Sequence, residues 1–187
     1  MKKIVLFLVA AVMLTAVVFA GAETVTPLDQ MKGLTFTFSS GVGAWYTELV
    51  FKEDGAFTGS YHDSEMGETG EGYPDGSVYG CLFHGQLSDP VQVDEYTWTA
   101  AITVEKDEGQ APEAIEDGIR YVTSEPYGVE KAKTVTIFLP GTPVEKLPEE
   151  FLFWSHLQET DPEAKTLPFF AIWSEADQAG FINDIQE

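Results

Sequence analysis

The sequence predicts a mainly-β protein: an antiparallel meander closed into a barrel of about eight strands, with one short helix in its C-terminal half. Three observations lead to this fold class. Short segments alternate apolar and polar residues, Gly, Pro and Asp stand between the segments, and the segments recur about every 10–15 residues. Alternation of this kind gives each strand one apolar and one solvated face. Closing the sheet into a barrel removes its exposed edges.

The first three strands are predicted from alternation and from one turn. The segments 34–40, 45–52 and 56–62 carry apolar or aromatic residues at alternate positions, with Thr47 and Gly59 among the exceptions on these faces. Asp54 and Gly55 separate the second segment from the third. Because an Asp-Gly pair between alternating segments is a strong hairpin signal, we expect these two strands to pair.

The same pattern continues along the chain, with one helical exception. Further strands are predicted at 78–87, 95–106, 118–124, 133–141 and 167–174. The polar residues 107–117 are expected to form a long hairpin loop. In the helical exception, Leu147, Phe151 and Trp154 recur at helical spacing, with Pro148 in the first turn. We therefore predict a helix near 148–157, packed on the mouth or wall of the barrel, and a short helix or irregular tail from Glu175.

The N-terminus has the pattern of a secretory signal. Two lysines precede an apolar run at 4–19, and the small residues Ala-Gly-Ala follow at 20–22. This order is typical of a cleaved leader, and the run is short for a membrane-spanning helix. An uncleaved anchor is the alternative. We expect residues 1–22 to be a signal peptide and residues 23–187 to be a single exported domain.

Charge and cysteine content narrow the choice of partners. The formal charge is −21, and loss of the leader with its two lysines makes the remaining chain two units more negative. Such a field repels phosphate backbones and anionic lipid surfaces, so we expect no nucleic-acid partner and no stable membrane anchoring. The single cysteine, Cys81, has no internal disulfide partner and is expected in the core. We expect a secreted monomer.

Several motifs resemble those of a known family. Gly43-Ala44-Trp45 near the start of the meander is similar to the opening of lipocalin-like, or calycin-type, barrels. The stretches YHDSEMGETGEGYPDGSVYGCLFHG, EDGIRYVTSEPYG and FLPGTPVEKLPEEFLFW resemble a group of uncharacterised bacterial secreted proteins and lipoproteins. The resemblance covers most of residues 33–155 and implies a lipocalin-like barrel. This chain lacks the lipidation cysteine of the lipoprotein members. The family implies no activity and no site residues.

The loop between the third and fourth predicted strands is rich in carboxylates and is long for a hairpin. Calcium prefers about six to eight oxygen ligands from a loop that wraps around it. Glu68 stands where an EF-hand-type loop requires glycine, and a solvated loop is the alternative reading. The candidate cation ligands are Asp63, Glu65, Glu68, Glu71 and Asp75.

Other catalytic and metal chemistry has weaker support. His62, Cys81 and His84 are soft metal ligands, but Cys81 and His84 are an odd number of residues apart on one strand and should face opposite sides. Serines near His62 lack a Gly-x-Ser-x-Gly turn. The abundance of acids permits a carboxylate pair for hydrolysis without pointing to one. The sequence therefore favours a protein that is not an enzyme, with an extracellular hydrolase as the alternative, and it predicts no cofactor apart from the calcium candidate.

Aromatic side chains on the inward phase are the remaining candidates for a binding site. Apolar walls with a few hydroxyl groups suit a small apolar or aromatic ligand, whereas in a filled barrel the same rings would form the core. An extracellular protein partner is the other class of ligand. The candidate residues are Trp45, Tyr61, Phe83, Trp98 and Tyr121, with Arg120 as a candidate anchor.

Arg120, the only arginine, has two readings. If Ile119 and Tyr121 face inward, Arg120 lies outside and pairs with Glu116, Asp117 or Glu125. With the opposite phase, it would be a buried cation able to hold a carboxylate ligand. The first reading is favoured.

Overall fold

The computed structural model describes residues 25–183, which form a ten-stranded, mainly antiparallel sheet and three short helices. The strands are β1 (Thr35–Ser39), β2 (Trp45–Phe51), β3 (Ala56–Glu65), β4 (Ser77–Gln92), β5 (Thr97–Lys106), β6 (Glu113–Glu116), β7 (Ile119–Thr123), β8 (Thr134–Phe138), β9 (Ala171–Ser174) and β10 (Ala179–Ile182). The helices are α1 (Pro27–Met31), α2 (Glu149–Ser155) and α3 (Leu157–Thr160). The predicted helix is therefore present as α2, and α3 follows it. The predicted leader at 1–22 lies outside the described residues.

Eight strands close into a barrel, which confirms the predicted fold class. The order is β1-β2-β3-β4-β5-β8-β9-β10, with β10 pairing back to β1, and every pairing around this ring is antiparallel. Alternation sets the inward phase: Cys81 and Phe83 are buried while Leu82 and His84 between and after them are exposed. The predicted buried cysteine is thus confirmed.

Phenylalanine side chains fill the barrel, which decides between the two readings of the inward aromatic residues in favour of a packed core. Glycines opposite the rings make room for them: a Cβ on Gly59 would lie 2.3 Å from the ring of Phe83. Leu28 and Met31 of α1 belong to the same core cluster. The largest fully buried rings are those of Phe36, Phe38, Phe51, Phe57, Phe83 and Phe181.

Two predictions about the strands were wrong. The segment 118–124 forms β7, but β7 is not in the barrel: it pairs in parallel with the start of β4 and antiparallel with β6, which lies in the segment predicted as a loop. The eighth barrel strand is instead β10, in the tail predicted to be helical or irregular. β10 is four residues long and contains Gly180, so its alternation is too short to recognise. A Cβ at Gly180 would lie 2.9 Å from the ring of Phe151.

Strand β7 can pair with β4 outside the barrel because β5 does not pair with the first residues of β4. Strand β5 pairs with β4 from Phe83 onward, whereas β7 pairs with residues 77–80. The side-chain amide of Gln110 fills the gap, because it accepts from Leu82 N–H at 2.7 Å and donates to Leu82 O at 2.8 Å. The backbone of β4 therefore keeps hydrogen-bond partners where it changes neighbours.

A second apolar cluster covers the outside of the barrel wall. Phe151 of α2 packs against Phe138 and Trp173, which point outward from β8 and β9. Trp154, near the end of α2, contacts this cluster and the barrel core. The helix thus lies on the wall, while Trp154 reaches the end of the barrel. Within residues 25–183, the helices are all too short to cross a membrane.

Candidate functional site

The barrel has one end, here called the mouth, at which β1, β3, β5 and β9 finish and β2, β4, β8 and β10 begin. Phe38, only 2% exposed, is the floor of the mouth. The ring centroids of Trp45 and Trp154 each lie 4.9 Å from that of Phe38, and the Tyr127 centroid lies 5.7 Å from it. Three large rings therefore surround a fourth that belongs to the core.

These rings stand as walls. Trp45 is inclined by 85° to Tyr127, at a centroid distance of 5.4 Å, and by 73° to Trp154, at 5.8 Å. Edge-to-face contacts of this type are favoured by the ring quadrupoles. The walls border a depression of about 620 Å³, here called the mouth depression. Its lining residues are Ala44, Trp45, Tyr61, Asp63, Ser64, Glu65, Tyr127 and Trp154.

The pairing of β2 with β3 explains why Tyr61 and Asp63 face the aromatic walls. Trp45 lies opposite Asp63, and Thr47 lies opposite Tyr61. Because side chains at every second position share a face, Tyr61, Asp63 and Glu65 follow one another along the same side of β3. Tyr61 Oη donates to Asp63 Oδ2 at 3.2 Å. Burial raises the pKa of the Tyr61 hydroxyl, and the Asp63 carboxylate raises it further.

Tyr127 belongs to the segment between β7 and β8, which crosses the mouth. Thr47, which is fully buried, donates its hydroxyl to Tyr127 O at 2.8 Å. Gly128 follows with φ of 90°, and a Cβ there would lie 2.8 Å from Phe38. Only glycine accommodates both the left-handed backbone and this close approach. The chain is thereby fixed where the Tyr127 ring meets Trp45.

The six ligand-site candidates from the sequence do not form one group. Trp45 and Tyr61 line the mouth depression. Phe83 is fully buried and Trp98 is 7% exposed, and both pack in the interior core. Tyr121, at 41% exposure, lies with Leu82 along a groove of about 360 Å³ between β4 and the β6–β7 hairpin, which meets the mouth depression at Tyr61. The residues that sequence reasoning missed are Tyr127 and Trp154.

Arg120 has a different partner from those expected. Its Nη2 donates to Glu68 Oε1 at 2.5 Å and to Tyr79 Oη at 3.0 Å, and its Nε donates to Ser77 Oγ at 3.1 Å. The guanidinium also lies 4.8 Å from the Tyr73 ring centroid. These five residues are called the Arg120 cluster below. The expected pairing with Glu116, Asp117 or Glu125 was wrong.

The acidic loop causes this difference, because residues 66–76 fold back over β7. Glu68 accepts from Tyr79 Oη at 2.6 Å as well as from Arg120. These donors lower the pKa of Glu68, with the Tyr79 hydroxyl contributing most. Ser77 Oγ donates to the backbone oxygen of Glu68 at 3.0 Å, which fixes the loop to the start of β4. The long loop therefore has a structural partner in Arg120.

The five acidic residues considered for calcium are divided among different surroundings. Glu68 is bound to Arg120, and Asp63 accepts from Tyr61 in the mouth depression. Glu65 borders the same depression, whereas Glu71 and Asp75 are exposed in the loop. Among residues 25–183, no three or more His, Cys, Asp or Glu side chains lie together in an arrangement that could hold a metal ion.

The residues considered for softer metals also lie apart, whereas Ser64, one of the serines near His62, contacts that histidine. Cys81 is buried, and burial raises the pKa of its thiol to about 11. His84 is exposed on the other face, with its Nδ1 2.7 Å from Asp107 Oδ1. His62 faces outward beside Tyr46, and its Nε2 lies 2.8 Å from Ser64 Oγ. The strand phase separates the thiol from both imidazoles.

Comparisons of the chain with protein-family models, with curated proteins and with solved structures found no match. The closed barrel is compatible with a lipocalin-like fold. The fold and the geometry of the mouth therefore carry the functional argument.

Proposed function

We propose that this protein is an exported, lipocalin-like barrel that is not an enzyme and binds a small ligand bearing apolar or aromatic groups in the mouth depression. One observation carries the proposal: the aromatic rings of Trp45, Tyr127 and Trp154 gather around the buried Phe38 and border a space of about 620 Å³. Concave sites that combine aromatic side chains with a few placed polar groups are typical of small-molecule binding. Tyr61 and Asp63 supply the polar groups.

The aromatic rings that border the mouth depression are held in place by the fold, which supports a role in ligand binding over one in core packing alone. Tyr127 is anchored through its backbone to Thr47, and Trp154 is held by α2 on the barrel wall. A ligand that enters a site already arranged loses less free energy to ordering of side chains. Trp45 lies on β2 with partners on both sides. The walls therefore come from three separate elements of the fold.

The alternative, a hydrolase that uses a carboxylate pair, has less support. A general acid at neutral pH needs a raised carboxyl pKa. Glu53, Glu68 and Asp94 have shifted pKa values, and each is lowered by hydrogen bonds from neighbouring donors: Lys32 for Glu53, Tyr79 and Arg120 for Glu68, and Lys146 for Asp94. These three carboxylates are suited to structural pairing and not to proton donation.

Fluorescence titration tests the proposal directly, since Trp45 and Trp154 lie in the site. An uncharged naphthylamine probe such as N-phenyl-1-naphthylamine should quench tryptophan emission and gain its own. Trp45→Leu should weaken binding about tenfold, because an aromatic contact of about 1 kcal/mol is lost together with apolar area. Tyr121→Leu is the matched control and should leave binding unchanged, because the Tyr121 ring does not line the mouth depression. Equal weakening by both substitutions, or no saturable binding, would refute the site.

Export is tested separately. Expressed with residues 1–22, the protein should accumulate outside the cytoplasm with Glu23 at its N-terminus. N-terminal sequencing of the purified protein measures this. Retention in the cytoplasm with an intact N-terminus would contradict the export proposal without affecting the ligand site.

A further inference from the structure

We infer that the ligand of the mouth depression is an organic cation of the quaternary or alkylated ammonium class. This inference rests on the proposed binding function and specifies its chemistry. The aromatic walls and the carboxylates of Asp63 and Glu65 border the same space. Of the residues that line the depression, none carries a positive charge.

The arrangement of rings suits a cation that cannot donate hydrogen bonds. The negative faces of aromatic rings attract a positive charge, and Trp does so most strongly. Two tryptophans and two tyrosines border the depression, and Trp45 stands nearly perpendicular to both Tyr127 and Trp154. A trimethylammonium group presents methyl surface in all directions, so it makes contact with several such walls at once. A planar neutral ring would match only one or two of them.

The carboxylates add charge complementarity. Asp63 is half-buried, and its only hydrogen bond from a described side chain comes from the neutral hydroxyl of Tyr61. Lys106, the lysine that the end of β5 brings to the mouth, is bound to Glu125 at 2.5 Å. An anionic ligand would meet Asp63 and Glu65 without a compensating cation in the lining. The charge of −21 further attracts cations toward the protein.

The protein already contains a cation held in this way. In the Arg120 cluster, the guanidinium lies over the Tyr73 ring and pairs with Glu68, beside the hydroxyl of Tyr79. The mouth depression offers the same chemical groups, namely aromatic rings, a tyrosine hydroxyl and a carboxylate, and its lining holds no resident cation. An ammonium group of a ligand would occupy the position in the mouth depression that the guanidinium occupies in the Arg120 cluster.

Choline and 3,3-dimethylbutan-1-ol form the decisive pair of probes. They share shape and hydroxyl group, and they differ only in the charge at the central atom. Isothermal titration calorimetry of the wild-type protein at low salt should show choline binding about thirtyfold more tightly than the alcohol, since a desolvated cation–π contact contributes about 2 kcal/mol. Asp63→Asn should weaken choline binding severalfold and leave the neutral alcohol unaffected. Glu71→Gln, which removes an equal charge from the exposed loop, should change neither.

The outcomes separate this inference from the proposed function. If the alcohol and choline bind equally, the cation inference is wrong while the ligand site stands. If the naphthylamine probe binds but choline does not, the same conclusion follows. If neither probe nor choline binds, both fail. Should Asp63→Asn not fold, Glu65→Gln replaces it, and the comparison of choline with its neutral analogue requires no variant.

Discussion

Two regions near the mouth contain the same chemical groups, but only the Arg120 cluster also contains a cation of the protein. In the Arg120 cluster, a carboxylate, a tyrosine hydroxyl and an aromatic ring surround a cation of the protein itself. In the mouth depression, Asp63, Tyr61 and the aromatic walls surround open space. The first region closes a loop onto the barrel, and its charges are satisfied internally. The second leaves a negative, aromatic surface exposed, which is a reason to regard it as a site and not as framework.

The largest expected effect comes from removing the floor of the depression. Phe38→Ala should lower the free energy of unfolding by about 3–5 kcal/mol, because the ring is buried and contacts Trp45, Trp154 and Phe181. Urea unfolding followed by circular dichroism measures this. Phe38→Leu, which keeps much of the apolar volume, should cost clearly less. Equal costs for both would mean that the rings do not pack on Phe38 as described.

The next largest effect is expected in the Arg120 cluster. Arg120→Leu removes the cation that joins Glu68, Ser77 and Tyr79, so residues 66–76 should detach from β7. We expect a lower Tm and faster proteolytic cleavage within the loop, with the cut mapped by mass spectrometry. Lys131→Leu is the matched control, since the Lys131 side chain is exposed and its ammonium pairs only with Glu130 among the described residues. Protection of the loop equal to wild type would contradict the structural role of Arg120.

Much of the fold was predictable because alternation along a strand is a local property. Segments such as 56–62 and 95–106 show it clearly, and the Asp54-Gly55 turn marks a hairpin. The partner of a strand is not a local property. The position of β7 beside β4 depends on where β5 ends and on the Gln110 side chain, and the four-residue β10 has too little alternation to be recognised.

The site was less predictable than the fold, for the same reason. Trp45 and Tyr61 lie on strands, and their phase indicated that they face inward. Trp154 was visible only as part of a helical apolar stripe, and Tyr127 lies in a segment without regular structure. Their meeting at Phe38 is a contact between residues far apart in sequence. The one local signal was Gly128 after Tyr127, which marked a backbone constraint but not the ring contacts.

Thermal melts at a series of pH values test the contribution of the Glu68 carboxylate to the stability of the Arg120 cluster. Its pKa is lowered in the folded protein by Tyr79 and Arg120, so the stabilisation it provides is complete above its unfolded pKa of about 4.3 and is lost as the pH falls through the lower folded value. Glu68→Gln should therefore lower Tm at pH 7, and its difference from wild type should shrink below about pH 4. A difference that stayed constant between pH 7 and pH 3 would show that the carboxylate charge contributes nothing.

The smallest expected effect on stability is that of replacing Asp63, the carboxylate of the mouth depression. Asp63→Asn should change the free energy of unfolding by no more than about 0.5 kcal/mol, because the asparagine oxygen still accepts from Tyr61 and no ion pair within residues 25–183 is broken. Glu68→Gln removes the same charge from the Arg120 cluster and should be clearly destabilising at pH 7. Parallel thermal melts of the two variants measure the contrast. Equal destabilisation would mean that Asp63 has a structural partner like that of Glu68, and the mouth depression would then be framework and not a site.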